Sequence, residues 1–186
     1  MSTFKLYTKT GDKGTTSLYD MRRVGKHECI FEVLGDLDEL SAHIGMVLSF
    51  KNDFYHKVLR NLQSKLLDIG SDIATVKNRN KVVEITESDV KQIENYIDDL
   101  QSQAPPLREF ILPGFQPVDA QIHICRAVSR RLERHLWLMK KTDEEHPTKN
   151  ETYIYINRLS DFFFALARAF TKENEITRSS AQQLKD

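Results

Sequence analysis

Apolar side chains recur along most of the chain at the three- and four-residue spacing of an amphipathic helix. Five segments follow this pattern, and we predict helices at about residues 30–50, 54–76, 86–100, 119–140 and 151–173. Alternation typical of a strand is limited to residues 4–7. Helices joined by short connections pack against their neighbours in sequence, so we predict an all-α antiparallel bundle.

The breaks between these helices carry start and stop signals. Thr86, with Asp89 three residues later, is a variant of the capping box that begins a helix. Prolines at 105 and 106 end that helix, and the stretch L-P-G at 112–114 adds a second break before the fourth. At 186 residues the chain fits one domain. We divide it into an N-terminal loop (1–28), a helical bundle (29–173) and a polar tail (174–186).

Composition narrows the class of protein. Lys+Arg and Asp+Glu both number 27, and this balance argues against nucleic-acid binding by a global basic field. No stretch approaches the roughly 20 apolar residues that span a bilayer, and the N-terminus resembles neither a signal peptide nor a transit peptide. Cys29 and Cys125 imply no disulfide framework. We therefore expect a cytoplasmic protein that binds neither nucleic acid nor a membrane.

The N-terminal stretch Y-T-K-T-G-D-K-G-T-T-S, at residues 7–17, precedes the first apolar run. Its glycines allow backbone N–H groups to point at an anion, and its lysines and threonine hydroxyls suit phosphate oxygens. It is not the Walker pattern, however, and no apolar strand leads into it. A simple polar turn built on its Gly-Asp and Lys-Gly pairs explains the same composition. The residues alone leave both interpretations open.

An arginine-rich face lies on the fourth predicted helix. Arg126, Arg130, Glu133 and Arg134 fall at i, i+4, i+7 and i+8, and His123 and Trp137 extend the stripe. Arginine is the preferred fork for phosphate oxygens, which indicates an anion site. A solvated face with helical ion pairs, each worth about 0.3–0.5 kcal/mol, is the alternative.

Other polar positions are less specific. Asn157 and Asp161 lie one turn apart in the fifth predicted helix, where an asparagine serves either a site or a helix-to-helix hydrogen bond. The acids at 36, 38 and 39 near the start of the first helix also complement its dipole. A dinuclear metal site would need paired Glu-x-x-His motifs, and the nearest approach is one Asp143-x-x-His146 in a loop. No nucleophile elbow or cysteine motif is present.

Five stretches in order resemble one family: T-K-T-G-D-K-G-T-T, G-D-L-D-E-L, F-I-L-P-G, C-R-A-V-S-R-R-L-E-R and I-N-R-L-S-D-F-F-F. Together they are similar to the PduO-type ATP:cob(I)alamin adenosyltransferases, over residues 5–170. The resemblance implies a homotrimer of five-helix bundles with ferritin-like up-down topology, an N-terminal nucleotide-binding loop, and ATP bound where two subunits meet. The reaction it implies transfers the 5′-deoxyadenosyl group of ATP, with Mg²⁺, to the cobalt of reduced cobalamin.

The resemblance also implies site residues. The N-terminal loop gives the triphosphate Thr8, Lys9, Thr10, Gly11, Lys13 and Thr16, with Lys26 as a further contact. The fourth and fifth helices give the nucleotide Arg130, Arg131, Glu133, Arg134 and Asn157. An ion pair between Asp38 and Arg126 matches the corrinoid side, and Phe110 matches the aromatic residue that displaces the lower ligand of the corrinoid. Arg130, Asp38, Arg126 and Phe110 are thus the residues implied for catalysis.

The sequence departs from the family at one position, and other functions and partners remain open. Phe115 stands where the family often has a second glycine after Pro113, which bears on the loop beside Phe110. The loop at 142–149 is long and polar, and we expect it to be disordered. A trimeric nucleotide or corrinoid carrier without turnover, or an unrelated helical oligomer, are the alternative functions. A cobalamin reductase and an adenosylcobalamin-dependent acceptor enzyme are the further partners that the resemblance suggests.

Overall fold

The structure is a computed structural model that describes residues 7–50, 55–77, 79–177 and 179–180. Five helices carry most of it, which confirms the predicted fold class. Four strands of two or three residues accompany them. The helices are α1 (Cys29–Ser49), α2 (His56–Ile73), α3 (Glu87–Ser102), α4 (Pro117–Thr142) and α5 (Asn150–Thr171), and the strands are β1 (Thr15–Ser17), β2 (Arg23–Gly25), β3 (Ile111–Leu112) and β4 (Ile176–Thr177).

Helix starts follow the local signals closely. The Oγ1 atom of Thr86 accepts a hydrogen bond from the backbone N of Asp89 at 3.3 Å, and Oδ2 of Asp89 accepts one from the backbone N of Thr86 at 2.9 Å. The predicted capping box at α3 is therefore confirmed. α4 begins two residues before the prediction, because Pro117 occupies its first turn and Asp119 closes a second capping box with Gln116.

The helices pack in the spatial order α2, α1, α4, α5, α3, with α4 and α5 in the most extensive contact. Their apolar faces meet in one core, in which Phe162 and Phe163 are among the largest fully buried side chains. The rings of these two residues meet edge to face, with centroids 5.3 Å apart. The periodicity that predicts the helices also predicts which faces are buried.

The strands form two small antiparallel pairs that periodicity does not predict. β1 pairs with β2, with Thr15 opposite Gly25, and the hairpin lies over the start of α1. β3 pairs with β4, with Ile111 opposite Thr177. Two residues of the segment predicted as the polar tail (174–186), at positions 176–177, therefore form a paired strand. The strand predicted at residues 4–7 lies outside the described residues except for Tyr7, which is in no strand.

The loop at 142–149 is ordered around a buried histidine, contrary to our expectation. Nε2 of His146 lies 3.1 Å from the backbone O of Ile73, and Nδ1 lies 2.9 Å from Oγ1 of Thr148. Burial lowers the pKa of His146, so the ring is neutral at pH 7. The loop is polar in composition, but its histidine fastens it to the end of α2.

Two further expectations concern membranes and cysteines. Among the described residues, no helix has the length and apolar composition needed to span a membrane. Cys29 and Cys125 are both free thiols, and burial raises the pKa of Cys125 to about 12. Neither thiol is therefore set up as a nucleophile.

Candidate functional site

The arginine-rich face of α4 is formed as predicted. Arg130 and Arg134 are both exposed, and Nη1 of Arg134 donates to the backbone O of Arg130 at 3.0 Å. Two guanidinium groups thus stand one turn apart on the outside of the bundle. Charged forks in this arrangement can bind a polyphosphate from one side.

Glu133 and Asn157, both predicted nucleotide residues, meet beside this pair. Nδ2 of Asn157 donates to Oε1 of Glu133 at 2.8 Å, and Oδ1 of Asn157 accepts from Nη1 of Arg158 at 2.8 Å. Nε of Arg158 in turn donates to Oε1 of Glu94 on α3 at 2.8 Å. Asn157 therefore makes a helix-to-helix hydrogen bond, and this chain of contacts fixes Glu133 and Asn157 next to the arginines.

Arg131 faces α1 instead of the outside. Its Nε donates to Oδ1 of Asp36 at 2.8 Å, and Nη2 donates to Glu39. Nδ1 of His135 lies 2.8 Å from Oδ2 of the same buried Asp36. The hydrogen bond that Arg131 donates to Asp36 raises the pKa of Arg131. Two carboxylates therefore hold Arg131 at the α1–α4 interface, and its contact with the nucleotide stays a prediction.

Among the described residues of one chain, Asp38 and Arg126 form no ion pair with each other. Asp38 is exposed beside a hollow between α1 and α2. Successive residues turn by about 100° in a helix, so Asp38 points away from α4 when Asp36 points toward it. The Nε atom of Arg126 is buried and has no hydrogen-bond partner among the described residues.

The N-terminal loop is a turn whose side chains remain accessible. The backbone N of Gly14 donates to the O of Gly11 at 3.3 Å, and Gly14 has a positive φ of 77°. Nη2 of Arg23 donates to the backbone O of Thr10 at 2.8 Å and fixes the loop against β2. Hydroxyl and ammonium groups of the loop, on Thr8, Lys9, Thr10 and Lys13, are exposed. The turn and the phosphate cradle are therefore compatible interpretations.

Lys26, the further predicted phosphate contact, lies against the same loop. Its backbone N donates to the O of Gly14 at 2.9 Å, and its Nζ lies next to Gly11, where a Cβ would come within 3.2 Å of it. A side chain at residue 11 would therefore displace this ammonium group. The structure brings Lys26 together with the residues predicted to bind the triphosphate.

Asp20 is an anchor that sequence analysis missed. Its carboxylate accepts from the backbone N of Arg22 at 3.1 Å, Nε of Arg22 at 2.9 Å, and the backbone N atoms of Val76 at 3.1 Å and Lys77 at 3.3 Å. Burial alone would raise the pKa of Asp20, but these hydrogen bonds together lower it. The N-terminal hairpin is thereby fastened to the end of α2. The two-residue spacing of Asp20 and Arg22 is the local signal, but nothing local indicates Val76.

The loop and Phe110 lie at opposite ends of α4. Leu18 and Val24 of the hairpin line a hollow with Met139 and Thr142 at the C-terminal end of α4. Near the other end, the backbone N of Gly114 donates to Oδ2 of Asp119 at 2.9 Å. A helix rises 1.5 Å per residue, so Arg130 is about 18 Å along the axis from Thr142 and about 20 Å from Pro117.

The segment around Phe110 exposes an unusual amount of apolar surface. Phe110 is 82% exposed, and the neighbouring Leu107, Leu112 and Phe115 are exposed as well. A cluster of exposed apolar side chains indicates a surface that binds an apolar partner or ligand. Gly114 has a positive φ of 111°, whereas Phe115 is absent from the described residues with positive φ. The backbone therefore requires glycine only at position 114, and Phe115 is accommodated.

A groove of about 790 Å³ lies between α3 and α5 at the same end of the bundle as Phe110. Asp161, the predicted polar residue one turn from Asn157, lines it together with Arg158, Phe164 and Arg168. His123 on α4 stacks edge to face with Phe164, at 6.3 Å between ring centroids. Among the described residues, no group of three histidine, cysteine, aspartate or glutamate side chains could hold a metal ion.

Comparison with known proteins gives one consistent family. The family model described as cobalamin adenosyltransferase matches residues 6–170. A corrinoid adenosyltransferase of Bacillus subtilis is 39% identical over 178 residues, which covers 92% of this chain and 89% of the relative. A corrinoid adenosyltransferase of Mycobacterium tuberculosis is 35% identical over 181 residues, which covers 92% of this chain and 91% of the relative.

A solved structure is similar over the whole bundle. It is a phenylalanine-to-alanine variant of the PduO-type ATP:corrinoid adenosyltransferase of Lactobacillus reuteri, complexed with cobalamin and ATP. The TM-score is 0.83 at 30% identity, and the match covers 93% of this chain and 98% of that chain. The residues that the family model matches, 6–170, include the N-terminal loop, the arginine face of α4 and the segment around Phe110.

Proposed function

The chain belongs to the cobalamin adenosyltransferase family, and we propose that it transfers the 5′-deoxyadenosyl group of ATP to the cobalt of a reduced corrinoid. The relatives named as corrinoid adenosyltransferases and the similar structure with cobalamin and ATP support this reaction. Within the chain, the observation that carries it is the exposed pair Arg130 and Arg134 beside the Glu133–Asn157 hydrogen bond.

The chemistry needs position and charge more than acid–base catalysis. The electron pair of cobalt in cob(I)alamin attacks the 5′-carbon of ATP and forms the cobalt–carbon bond. The bond from that carbon to the phosphate oxygen breaks, and triphosphate leaves with the electrons of the broken bond. The cobalt is already a strong nucleophile, so the protein has to align the reactants and stabilise the leaving group. Arg130 and Arg134 supply two permanent positive charges for the triphosphate.

The N-terminal loop would complete the phosphate site. Lys9, Lys13 and Lys26 contribute positive charge, and the hydroxyl groups of Thr8, Thr10 and Thr16 contribute hydrogen bonds. Mg²⁺ would accompany the triphosphate. Since the described residues form no cluster of metal-ligating side chains, phosphate oxygens and water would supply most of its ligands.

We propose a homotrimer in which the loop of one subunit closes the arginine face of its neighbour. In one chain the base of the loop lies at the end of α4, about 18 Å along the axis from Arg130. Asp38 is exposed, and the buried Nε of Arg126 lacks a partner among the described residues. A contact between Asp38 of one subunit and Arg126 of the next would satisfy both groups.

Phe110 has a separate role in this proposal. Its ring is exposed, and it would press against the corrinoid and exclude the lower ligand and water from cobalt. Loss of that ligand makes cob(II)alamin easier to reduce to the nucleophilic cob(I) state. Phe110→Ala should therefore slow conversion of cob(II)alamin far more than reaction of pre-formed cob(I)alamin. Equal losses in the two assays would remove Phe110 from this role.

Turnover tests the function directly. ATP and chemically reduced cobalamin should yield adenosylcobalamin and triphosphate. Arg130→Ala should lower kcat by about a hundredfold, as for the loss of one charged donor to a leaving group, while the circular dichroism spectrum stays unchanged. Arg60→Ala, on the exposed face of α2, is the matched control and should have full activity. Unchanged kinetics for Arg130→Ala would favour a solvated face, and no product from a folded trimer would favour a carrier.

Mixed trimers test the shared site. Lys9→Ala and Arg130→Ala should each be nearly inactive alone. If the loop acts on its neighbour, some sites in a mixed trimer combine an intact loop with an intact arginine face, and activity returns. If each loop serves its own subunit, every site keeps one defect, and mixing restores nothing. The absence of recovery in confirmed mixed trimers would therefore contradict the shared site.

A further inference from the structure

We propose that Arg168 is a positioning residue for the corrinoid reduction step, because its guanidinium group joins the linker before Phe110 to the segment after α5. The inference rests on the role proposed above for Phe110. It adds a residue that is remote from the nucleotide and that would act only through the placement of the Phe110 ring.

Arg168 is buried, and it binds two separate pieces of the chain. The residue lies near the C-terminal end of α5 and is 5% exposed. Its Nη2 donates to the backbone O of Pro105 at 2.5 Å, in the linker between α3 and β3. Its Nε donates to Oε1 of Glu175 at 2.7 Å, and Nη2 lies 3.3 Å from Oε2 of Glu175. The side chain of Glu175 is only 11% exposed, so this ion pair is largely shielded from water.

The segment after α5 is also tied to both neighbours of Phe110. Immediately after Phe110, Ile111 pairs with Thr177 in the β3–β4 ladder. Immediately before it, Oε2 of Glu109 accepts a hydrogen bond from the backbone N of Ser179 at 3.3 Å. The positions of residues 175–177 and of Ser179 therefore set the backbone on each side of Phe110.

Phe110 depends on these backbone ties because its own side chain has little support. At 82% exposure the ring makes few contacts within the chain. A ring that must keep a ligand away from cobalt has to be held in one position, within about 0.5 Å for most functional groups. Arg168 provides this constraint by holding the linker at Pro105 and the C-terminal segment at Glu175.

An arginine suits this junction better than a lysine. The planar guanidinium donates to a carbonyl and to a carboxylate at the same time. A lysine ammonium is a compact charge that cannot reproduce this fork. Arg168→Lys should therefore behave like loss of the junction, although the positive charge remains.

The experiment compares two assays on the whole protein. Glu175→Gln keeps the size of the side chain but removes the charge that Arg168 binds, and Phe110→Ala is the reference. We expect Glu175→Gln to lower the rate from cob(II)alamin, with a one-electron reductant supplied, by about tenfold or more. The rate from pre-formed cob(I)alamin should stay within about twofold, and KM for ATP should not change. Electron paramagnetic resonance of bound cob(II)alamin should show more of the axially ligated form.

Glu84→Gln is the matched control. Glu84 forms ion pairs with Arg79 and Lys149, away from the Phe110 segment. This variant loses a comparable interaction and should keep the ratio of the two rates unchanged. Arg168→Lys should reproduce the effect of Glu175→Gln if the junction, and not the charge alone, holds Phe110.

The outcomes separate the inference from the proposed function. The deciding quantity is the rate from cob(II)alamin divided by the rate from pre-formed cob(I)alamin. If this ratio falls in both Phe110→Ala and Glu175→Gln, the positioning role of Arg168 is supported. A lowered ratio in Phe110→Ala alone would overturn that role while the proposed function stands. Equal losses in both assays for Glu175→Gln would mark Arg168 as merely structural. No product from the unaltered protein with cob(I)alamin would overturn the function and the inference together.

Discussion

Asp20→Ala removes the carboxylate that fastens the N-terminal hairpin to the end of α2. The side chain of Asp20 is only 1% exposed and accepts hydrogen bonds from Arg22, Val76 and Lys77. The two backbone bonds to Val76 and Lys77 are each worth about 0.5–1 kcal/mol. The Arg22 side chain is 35% exposed, so its ion pair adds no more than about 0.5 kcal/mol after screening. Docking of the hairpin should therefore weaken by about 2 kcal/mol, which is roughly 30-fold in the docking equilibrium.

The consequence for the enzyme follows from the position of the loop. A loop that is docked less often presents Lys9, Lys13 and Lys26 less often, so KM for ATP should rise by up to about 30-fold. Turnover at saturating ATP should change little, because ATP itself would restore the docked loop. Asp20→Asn should have a smaller effect, since one oxygen still accepts hydrogen bonds.

Hydrogen exchange at the amides of Val76 and Lys77 measures the docking directly, and steady-state kinetics measures KM for ATP. Glu144→Gln, an exposed carboxylate in the loop after α4, is the control for charge and should change neither. Because its hydrogen bonds lower the pKa of Asp20, its contribution is complete above the ordinary carboxyl pKa of about 3.9 and is lost only as the pH falls below it. The effect of Asp20→Ala on hydrogen exchange and on KM for ATP should thus be equal at pH 6 and pH 8. Unchanged exchange and unchanged KM in Asp20→Ala would refute the anchoring role.

Three stability predictions follow from burial and backbone geometry. Phe163→Ala, at a site with 0% exposure, should lower the free energy of unfolding in urea by about 3–5 kcal/mol, whereas Phe110→Ala should change it by less than about 1 kcal/mol. Met21 is exposed and has a positive φ of 68°, a backbone conformation that strains any residue other than glycine. Met21→Gly should therefore raise the free energy of unfolding by up to about 1 kcal/mol, and a lower free energy of unfolding would contradict this strain. Burial lowers the pKa of His123 and His146 in the folded protein. As the pH falls, these histidines therefore take up protons in the unfolded chain before they do so in the folded one. Stability should fall below about pH 6.5 by at most about 1.4 kcal/mol per pH unit for each, and His146→Gln should reduce that slope.

The helices could be predicted because their signals are local. The spacing of apolar residues defines α1 to α5 within a few residues, and the Thr86–Asp89 capping box fixes the start of α3. The arginine face on α4 follows from the same periodicity once the helix is known. These features need only residues within a few turns of one another.

The parts that sequence analysis missed depend on contacts between distant residues. β3 and β4 are two-residue strands whose paired residues are 64 and 66 positions apart in the sequence, and neither strand has enough alternation to be recognised alone. Arg131 and Arg130 are adjacent in the motif, yet only the packing of α4 on α1 shows that Arg131 binds Asp36. Asp20 and Val76 meet in the same way. A motif gives the residue types of a site, whereas tertiary packing decides which of them are available.

The proposed trimer accounts for three features that one chain leaves incomplete. Arg126 has a buried Nε without a partner among the described residues, although burying an N–H group without a hydrogen bond is costly. Asp38 is exposed on the wrong side of α1 to reach it. The N-terminal loop is accessible at the end of α4, while Arg130 lies midway along that helix. Each group lacks what a neighbouring copy would supply, so the same interface that pairs Asp38 with Arg126 would also place the loop over Arg130.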